Sequence, residues 1–225
     1  MNDWQKLIVS GEAAEAELSR LRSAYHDSGL YPILLGDSED WEIISEVFED
    51  NTDVSSADKA IATSLQISVP SWLEMQLAGI ENDEGAFPSG DWPTDPSDKM
   101  GLITHRDILS GELKKEVIIG LHEISAPWEV FAYLLWGNWN SCPDASEHCA
   151  MHRYWEEKYG AEVISVTHDV LQCVVARPPD SKEQALELAR EQYLYCPDIV
   201  DQGVGTIEAL AATLLQGQYW YFWWD

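Results

Sequence analysis

Residues 161 to 177 read AEVISVTHDVLQCVVAR, two Val- and Ile-rich runs divided by the polar step His168-Asp169. β-Branched side chains at this density favour extended backbone, and so short a joint between two such runs favours an antiparallel hairpin. Helix signals flank the hairpin on both sides. Asp144 with Glu147 three residues on resembles a capping box, opening a helix that runs to Tyr159 and stops at Gly160. Ser181 with Gln184 is a second capping box, placed after Pro178-Pro179, for a helix to about Leu194. Helices interleaved with an antiparallel pair predict an α+β (mixed α/β) fold: an antiparallel or mixed sheet with packed helices, closed by a C-terminal strand at Tyr219 to Trp224.

Working outward, Glu116 to Leu121 is a β-branched run that predicts a strand, and Pro127 sits near the first turn of a helix through Trp136. Thr206 starts a helix with Ile207, Leu210, Ala211 and Leu214 on one face. Towards the N-terminus, Tyr31 to Leu35 is a short apolar run closed by Gly36, and Trp41, Ile44, Val47 and Phe48 then resume a three-to-four residue period, strand then helix. Helical pieces are expected near Asp58 to Gln66 and Ser71 to Ala78, and Trp4, Leu7, Ile8, Leu18, Leu21 and Tyr25 predict one amphipathic first helix stopped by Gly29. Residues 81 to 99, ENDEGAFPSGDWPTDPSDK, carry three prolines, two glycines and six acids against one lysine, so no regular element is expected there. Three segments follow from this reading: 1–80, an N-terminal helix-rich part; 81–99, an acidic loop or linker; and 100–225, a C-terminal α+β domain, unless the chain is one continuous domain.

Of the 225 residues, 40 are Asp or Glu and 13 are Lys or Arg, a net charge of −27. The charge is spread: residues 1–115 hold 8 bases against 23 acids and residues 116–225 hold 5 against 17, nets of −15 and −12. A surface of this sign repels phosphate backbones and anionic headgroups, so neither nucleic acid nor membrane is an expected partner; a basic partner, a cation and simple solubility are each consistent with it, and the charge alone does not choose among them. Forty-five per cent hydrophobic residues suffice for a core, no apolar run approaches the roughly 20 residues that span a bilayer, and no secretory signal opens the chain. Four cysteines, Cys142, Cys149, Cys173 and Cys196, are too sparse for a disulfide scaffold and read as reduced thiols. A cytoplasmic location is therefore expected. Neither GxGxxG nor GxxxxGK is present, which removes the common nucleotide-binding signatures.

GNWNSCP (137–143), RYWEEKYGAEV (153–163), RPPDSKEQALELAREQYLYCPDIVDQG (177–203) and the terminal WYFWWD (220–225) stand in order along the second half. Together they make roughly residues 115–225 similar to the C-terminal module of a bacterial family of domains of unknown function. The resemblance implies a small α/β-type domain and no established chemistry. By analogy with uncharacterised bacterial domains that serve as immunity proteins, it leads to the expectation of an inhibitor that neutralises a basic toxin or nuclease.

Three sets of residues could carry function. In the acidic loop, Phe87 and Trp92 are large apolar groups that a solvating linker does not need; with Glu84, Asp91 and Asp95 they form a candidate surface for a basic partner such as a toxin. In the second half, Asn140, Cys142, Arg153, Arg177, Glu191 and Asp198 are polar groups within the signature segments and could line a pocket for an enzyme or a small-molecule binder; the alternative for Arg153, Arg177 and Arg190 is helix-fixing ion pairs with Glu156, Glu157, Glu187 and Glu191. Cys142, His148 and His152 are the candidate metal ligands, because His148 and His152 at i and i+4 project from one helix face; zinc is the metal this set suits, and a half-buried stripe with Trp155 and Tyr159 is the alternative. No catalytic residue and no obligatory cofactor is assigned. Of the consecutive Trp223 and Trp224, one is expected to enter the core and the other to pack under a helix or lie at an interface.

Overall fold

The computed structural model describes residues 3–52, 54–82, 86–94 and 101–225. Its centre is a six-stranded mixed sheet in the order β1-β3-β2-β4-β5-β6: β1 Gln5–Val9, β2 Leu30–Leu34, β3 Val117–Glu123, β4 Ala161–Val166, β5 Val170–Val175 and β6 Tyr219–Trp223. The expected hairpin is β4 and β5, antiparallel from Ala161↔Val175 to Val166↔Leu171, with a register shift between Val163 and Ser165. Every neighbouring pair is antiparallel except β2 and β4, which run parallel and meet at Leu34↔Ser165. Strands from both halves of the chain therefore share one sheet, with β3 seated between β1 and β2.

Alternation along each strand builds two apolar layers. On one face Ile33, Val163, Leu171, Trp220 and Phe222 join the larger core; on the other, Leu34, Ile119 and Ile164 meet Ala14 and Leu18 of α1 (Gly11–Ser23) and Leu102. Tyr31 to Leu35 is buried on both faces, which is why the sequence reads there as an unbroken apolar run. The larger core is covered by helices: α3 (Ser38–Thr52), α4 (Ala57–Ser64), α5 (Val69–Asn82), the short α6 (Val130–Leu134), α7 (Ala145–Tyr159), α8 (Lys182–Tyr195) and α9 (Ile207–Leu214), while α2 (Tyr25–Ser28) leads into β2. The caps read from sequence are present. Asp144 accepts from the Ser146 and Glu147 amides while Glu147 reaches back to the Asp144 amide, Gly160 ends α7 in the left-handed region, and Ser181 and Thr206 cap α8 and α9.

The expected single first helix is corrected. Trp4, Leu7 and Ile8 belong to β1 and its entry, and the helix begins only after Ser10, whose side chain accepts from the Ala13 amide. Leu7, Ile8 and Val9 suit strand as well as helix, and pairing with Ile119, Ile118 and Val117 of β3 decides between them. Among the described residues, no helix is long and apolar enough to cross a membrane.

Candidate functional site

The carboxyl ends of parallel neighbours are where open α/β sheets leave a crevice, because the following loops turn away from each other. Here the loop after β2 and the turn after β4 diverge and open a cleft of about 580 Å3. Gly36 starts the first loop at φ +74, and a Cβ there would lie 2.0 Å from Asp40 Oδ2, so only glycine lets the chain fold over that carboxylate. Asp37 then caps α3, its Oδ1 accepting from the Glu39 and Asp40 amides. Thr167, His168 and Asp169 form the turn after β4, Tyr221 and Trp223 of β6 supply aromatic walls, and residues 103–108 close the remaining side.

Residues 101–104 are held against the sheet by Gln172, whose Oε1 accepts from the Ile103 amide at 2.8 Å and whose Nε2 donates to Gly101 O at 3.1 Å; Thr104 and Ser165 hydroxyls meet at 2.7 Å. From there a tight turn bridged at Arg106↔Leu113 projects Ile108 and Leu109 into solvent, 70% and 94% exposed, and returns Lys114 to the cleft.

Asp40 is the electrostatic centre. It accepts from His168 Nδ1 at 2.6 Å, from Lys114 Nζ at 2.8 Å and from the Asp37 amide at 2.9 Å, and Lys114 also reaches Asp37 at 2.9 Å. Burial pushes the Asp40 carboxyl up, but the hydrogen bonds from His168, Lys114 and the Asp37 amide outweigh it and hold it at about 2. The bond to Asp40 raises His168 above its ordinary value, against burial. Lys114 is raised too, its carboxylate partners overcoming burial. Asp169 accepts from the Trp223 indole at 3.0 Å and from the Thr167 hydroxyl at 3.2 Å. Three chain segments are thus fixed around one buried carboxylate.

A second depression of about 350 Å3 continues from the cleft and shares His168, Asp169 and Trp223 with it; Ile43, Val47, Trp139, Trp224 and Asp225 complete its walls. Alongside runs the outer face of α3. At 100° per residue Glu39, Glu42, Glu46, Glu49 and Asp50 fall on one stripe, Ile43 and Val47 lie beside it, and Ile44 points inward. All five acids are exposed, and among the described residues none takes part in an ion pair.

The residues singled out from sequence separate in space. Cys142 Sγ lies 3.4 Å from His148 Nε2, while His148 Nδ1 and His152 Nε2 both face the Tyr195 hydroxyl, the latter at 3.0 Å, and His152 Nδ1 lies 3.7 Å from Cys173 Sγ. Burial lowers both imidazoles, His152 to about 3, and raises the Cys142 thiol. The stripe lies inside an aromatic cluster of Phe131, Trp136, Trp155, Phe222 and Trp224. Among the described residues no three His, Cys, Asp or Glu side chains stand together as a metal-binding group.

Asn140 and Cys142 share a small depression of about 200 Å3. Asn140 donates to Asp225 O and Asp198 accepts from the Asp225 amide at 3.1 Å, so both fasten the last residue. Arg153 donates to Ser64 O at 3.3 Å beside the Trp128 ring, and Arg177 donates to Glu156 O and Glu157 O, capping α7. Glu191 accepts from Tyr154, Trp155 and Lys158.

Glu84 and Asp95 lie outside the described residues. Phe87 packs edge-on against Tyr193 and Lys182 Nζ sits 4.4 Å over the Trp92 ring, so both rings contact α8, while Pro88 O accepts from the Ile207 amide and the Gly90 amide donates to Glu208, which ties the backbone between them to the first turn of α9; Asp91 is exposed. Cys196 is buried and meets Trp223 O rather than His168. Sequence reasoning passed over Asp37, Asp40, Lys114 and Tyr221, since an Asp three residues after another at a helix start reads as capping and nothing local ties Asp40 to a histidine 128 residues on.

A family model described as a domain of unknown function (DUF4253) matches residues 118–225, slightly under half of the chain. His168, Asp169, Tyr221 and Trp223 fall inside the matched part, whereas Asp37, Asp40, Lys114 and the acidic stripe of α3 precede it. Neither a curated protein nor a solved structure matches the chain.

Proposed function

We propose that this chain is a binding protein whose α3 face and adjoining depression engage a basic protein, neutralising it in the manner of an immunity-type inhibitor. The observation that carries the reading is the stripe Glu39, Glu42, Glu46, Glu49 and Asp50, uncompensated among the described residues, beside the partly exposed Ile43, Val47, Trp139 and Trp223. An apolar strip with aromatic anchors and a charged rim is the anatomy of a protein interface. The stripe is also placed against the helix's own interest. Like charges at i and i+4 destabilise a helix by about 0.2–0.5 kcal/mol per pair, and acids in the last turn oppose the macrodipole. α3 carries Glu49 and Asp50 in that turn and no base. A local cost retained on an exposed face is accounted for by a cationic partner, whose approach the −27 net charge accelerates.

The test is protection in cells. The product of the reading frame adjacent to this chain's gene is expressed alone and together with it. Growth arrest relieved by the wild-type chain, and not by a folded E42Q/E46Q/E49Q variant, supports the reading. A harmless neighbour, or equal relief by the variant, contradicts it.

A further inference from the structure

We propose that the cleft at the carboxyl ends of β2 and β4 is a pocket for one arginine side chain of that basic partner; this deepens the reading above and rests on it. Five carboxylates line the cleft, Asp37, Glu39, Asp40, Asp107 and Asp169, against two permanent cations, Arg106 and Lys114. The Lys114 ammonium is already shared between Asp37 and Asp40. Asp107 turns Oδ1 onto the Leu109 and Ser110 amides of its own loop. Among the described residues Glu39 has no side-chain partner; Asp169 Oδ1 faces the Thr167 hydroxyl and, at 3.5 Å, His168 Nε2, while its Oδ2 takes, among the same residues, only the Trp223 indole and keeps a second lone pair.

The other walls suit a guanidinium on an aliphatic stem. Ile103, Ile108 and Val170 provide apolar surface for the methylenes, and Tyr221 and Trp223 provide rings for a planar delocalised cation. The Tyr221 hydroxyl forms no hydrogen bond among the described residues and remains open to a ligand. A guanidinium can fork onto a carboxylate and stack at the same time, which an ammonium cannot do, so arginine is favoured over lysine. His168 and Lys114 hold Asp40 between two segments of the cleft wall, and a wall set in place before binding lowers the ordering cost of capture.

Position connects the pocket with the protein-binding face. His168, Asp169 and Trp223 line both the cleft and the depression beside α3, so a partner lying on the acidic stripe passes directly over the pocket mouth. The exposed Ile108 lines the cleft and Leu109 follows it in the same projecting turn, so the turn offers apolar surface to the same partner.

The experiment titrates the full chain with N-acetyl-arginine amide, N-acetyl-lysine amide and N-acetyl-norleucine amide. The readout is the indole N–H resonance of Trp223, which donates to Asp169 and so reports on the cleft. The expected result is one saturable site preferring arginine to norleucine by roughly tenfold or more, with lysine between them. Glu39→Gln weakens the arginine titration severalfold, whereas Glu183→Gln, an exposed acid on α8 that lines neither the cleft nor the depression, leaves it unchanged. Absence of a saturable shift, or equal response to norleucine, overturns the pocket. The adjacent gene's product then separates the two claims. If arginine amide saturates the cleft and that product does not associate, guanidinium recognition stands and the partner reading falls. If the product associates with the same affinity with and without saturating arginine amide, the pocket falls and the partner reading stands.

Discussion

Asp40 is the residue on which the cleft depends, and its protonation links the site to stability. Its carboxyl is held at about 2 against an ordinary 3.8, so its contribution is complete above pH 3.8 and is lost as pH falls through about 2; the difference is worth about 2 kcal/mol. His168 works in the opposite sense. Raised above its ordinary 6.5, it contributes fully below pH 6.5 and loses that contribution as pH rises through its folded value. Urea denaturation of wild type and His168→Ala is therefore expected to show the largest stability gap between about pH 4 and 6.5 and a smaller one at pH 9; a gap that widens with pH would contradict the assignment. A second residue is structural. The Tyr195 hydroxyl serves two buried imidazoles at once, so Tyr195→Phe leaves both short of a partner and is expected to cost about 3 kcal/mol in the same assay. None of this tertiary pairing was legible in the sequence. Asp40 and His168 each look like ordinary turn or cap residues until β2 and β4 are set side by side, and His148 with His152 fit a ligand pair as well as a core stripe until Tyr195 is placed between them.

At the scale of elements, local chemistry spoke clearly where it was local. The β4–β5 hairpin, the Asp144–Glu147 box and the strand-then-helix order at Tyr31 to Phe48 depend on neighbours within a few residues, and each is present. β1 was misread because its identity depends on β3, more than a hundred residues away. The acidic face of α3 is different again, because its acids were visible only as part of a diffuse charge; the helical period and the depression beside them give them a common direction. That face makes a prediction about stability opposed to function. E42Q/E46Q/E49Q relieves like-charge contacts and the unfavourable last turn, so thermal unfolding is expected to show a gain of roughly 0.5–1.5 kcal/mol. A loss of stability would show that the acids have a structural role in the helix.

Over the whole molecule, a charge of −27 on a well-packed sheet does not by itself name a partner, and most of it is a solvated shell. What the fold adds is concentration. It brings α3, the β4–β5 turn and β6 together, so that an acidic stripe, an aromatic-lined depression and a cleft with five carboxylates in its lining adjoin one another through His168, Asp169 and Trp223. Calorimetric titration of the purified chain with the product of the adjacent reading frame, at low and at physiological salt, tests this claim most directly. A one-to-one complex is expected that weakens steeply with salt and weakens roughly tenfold or more with E42Q/E46Q/E49Q. A complex indifferent to both salt and those three substitutions would contradict it.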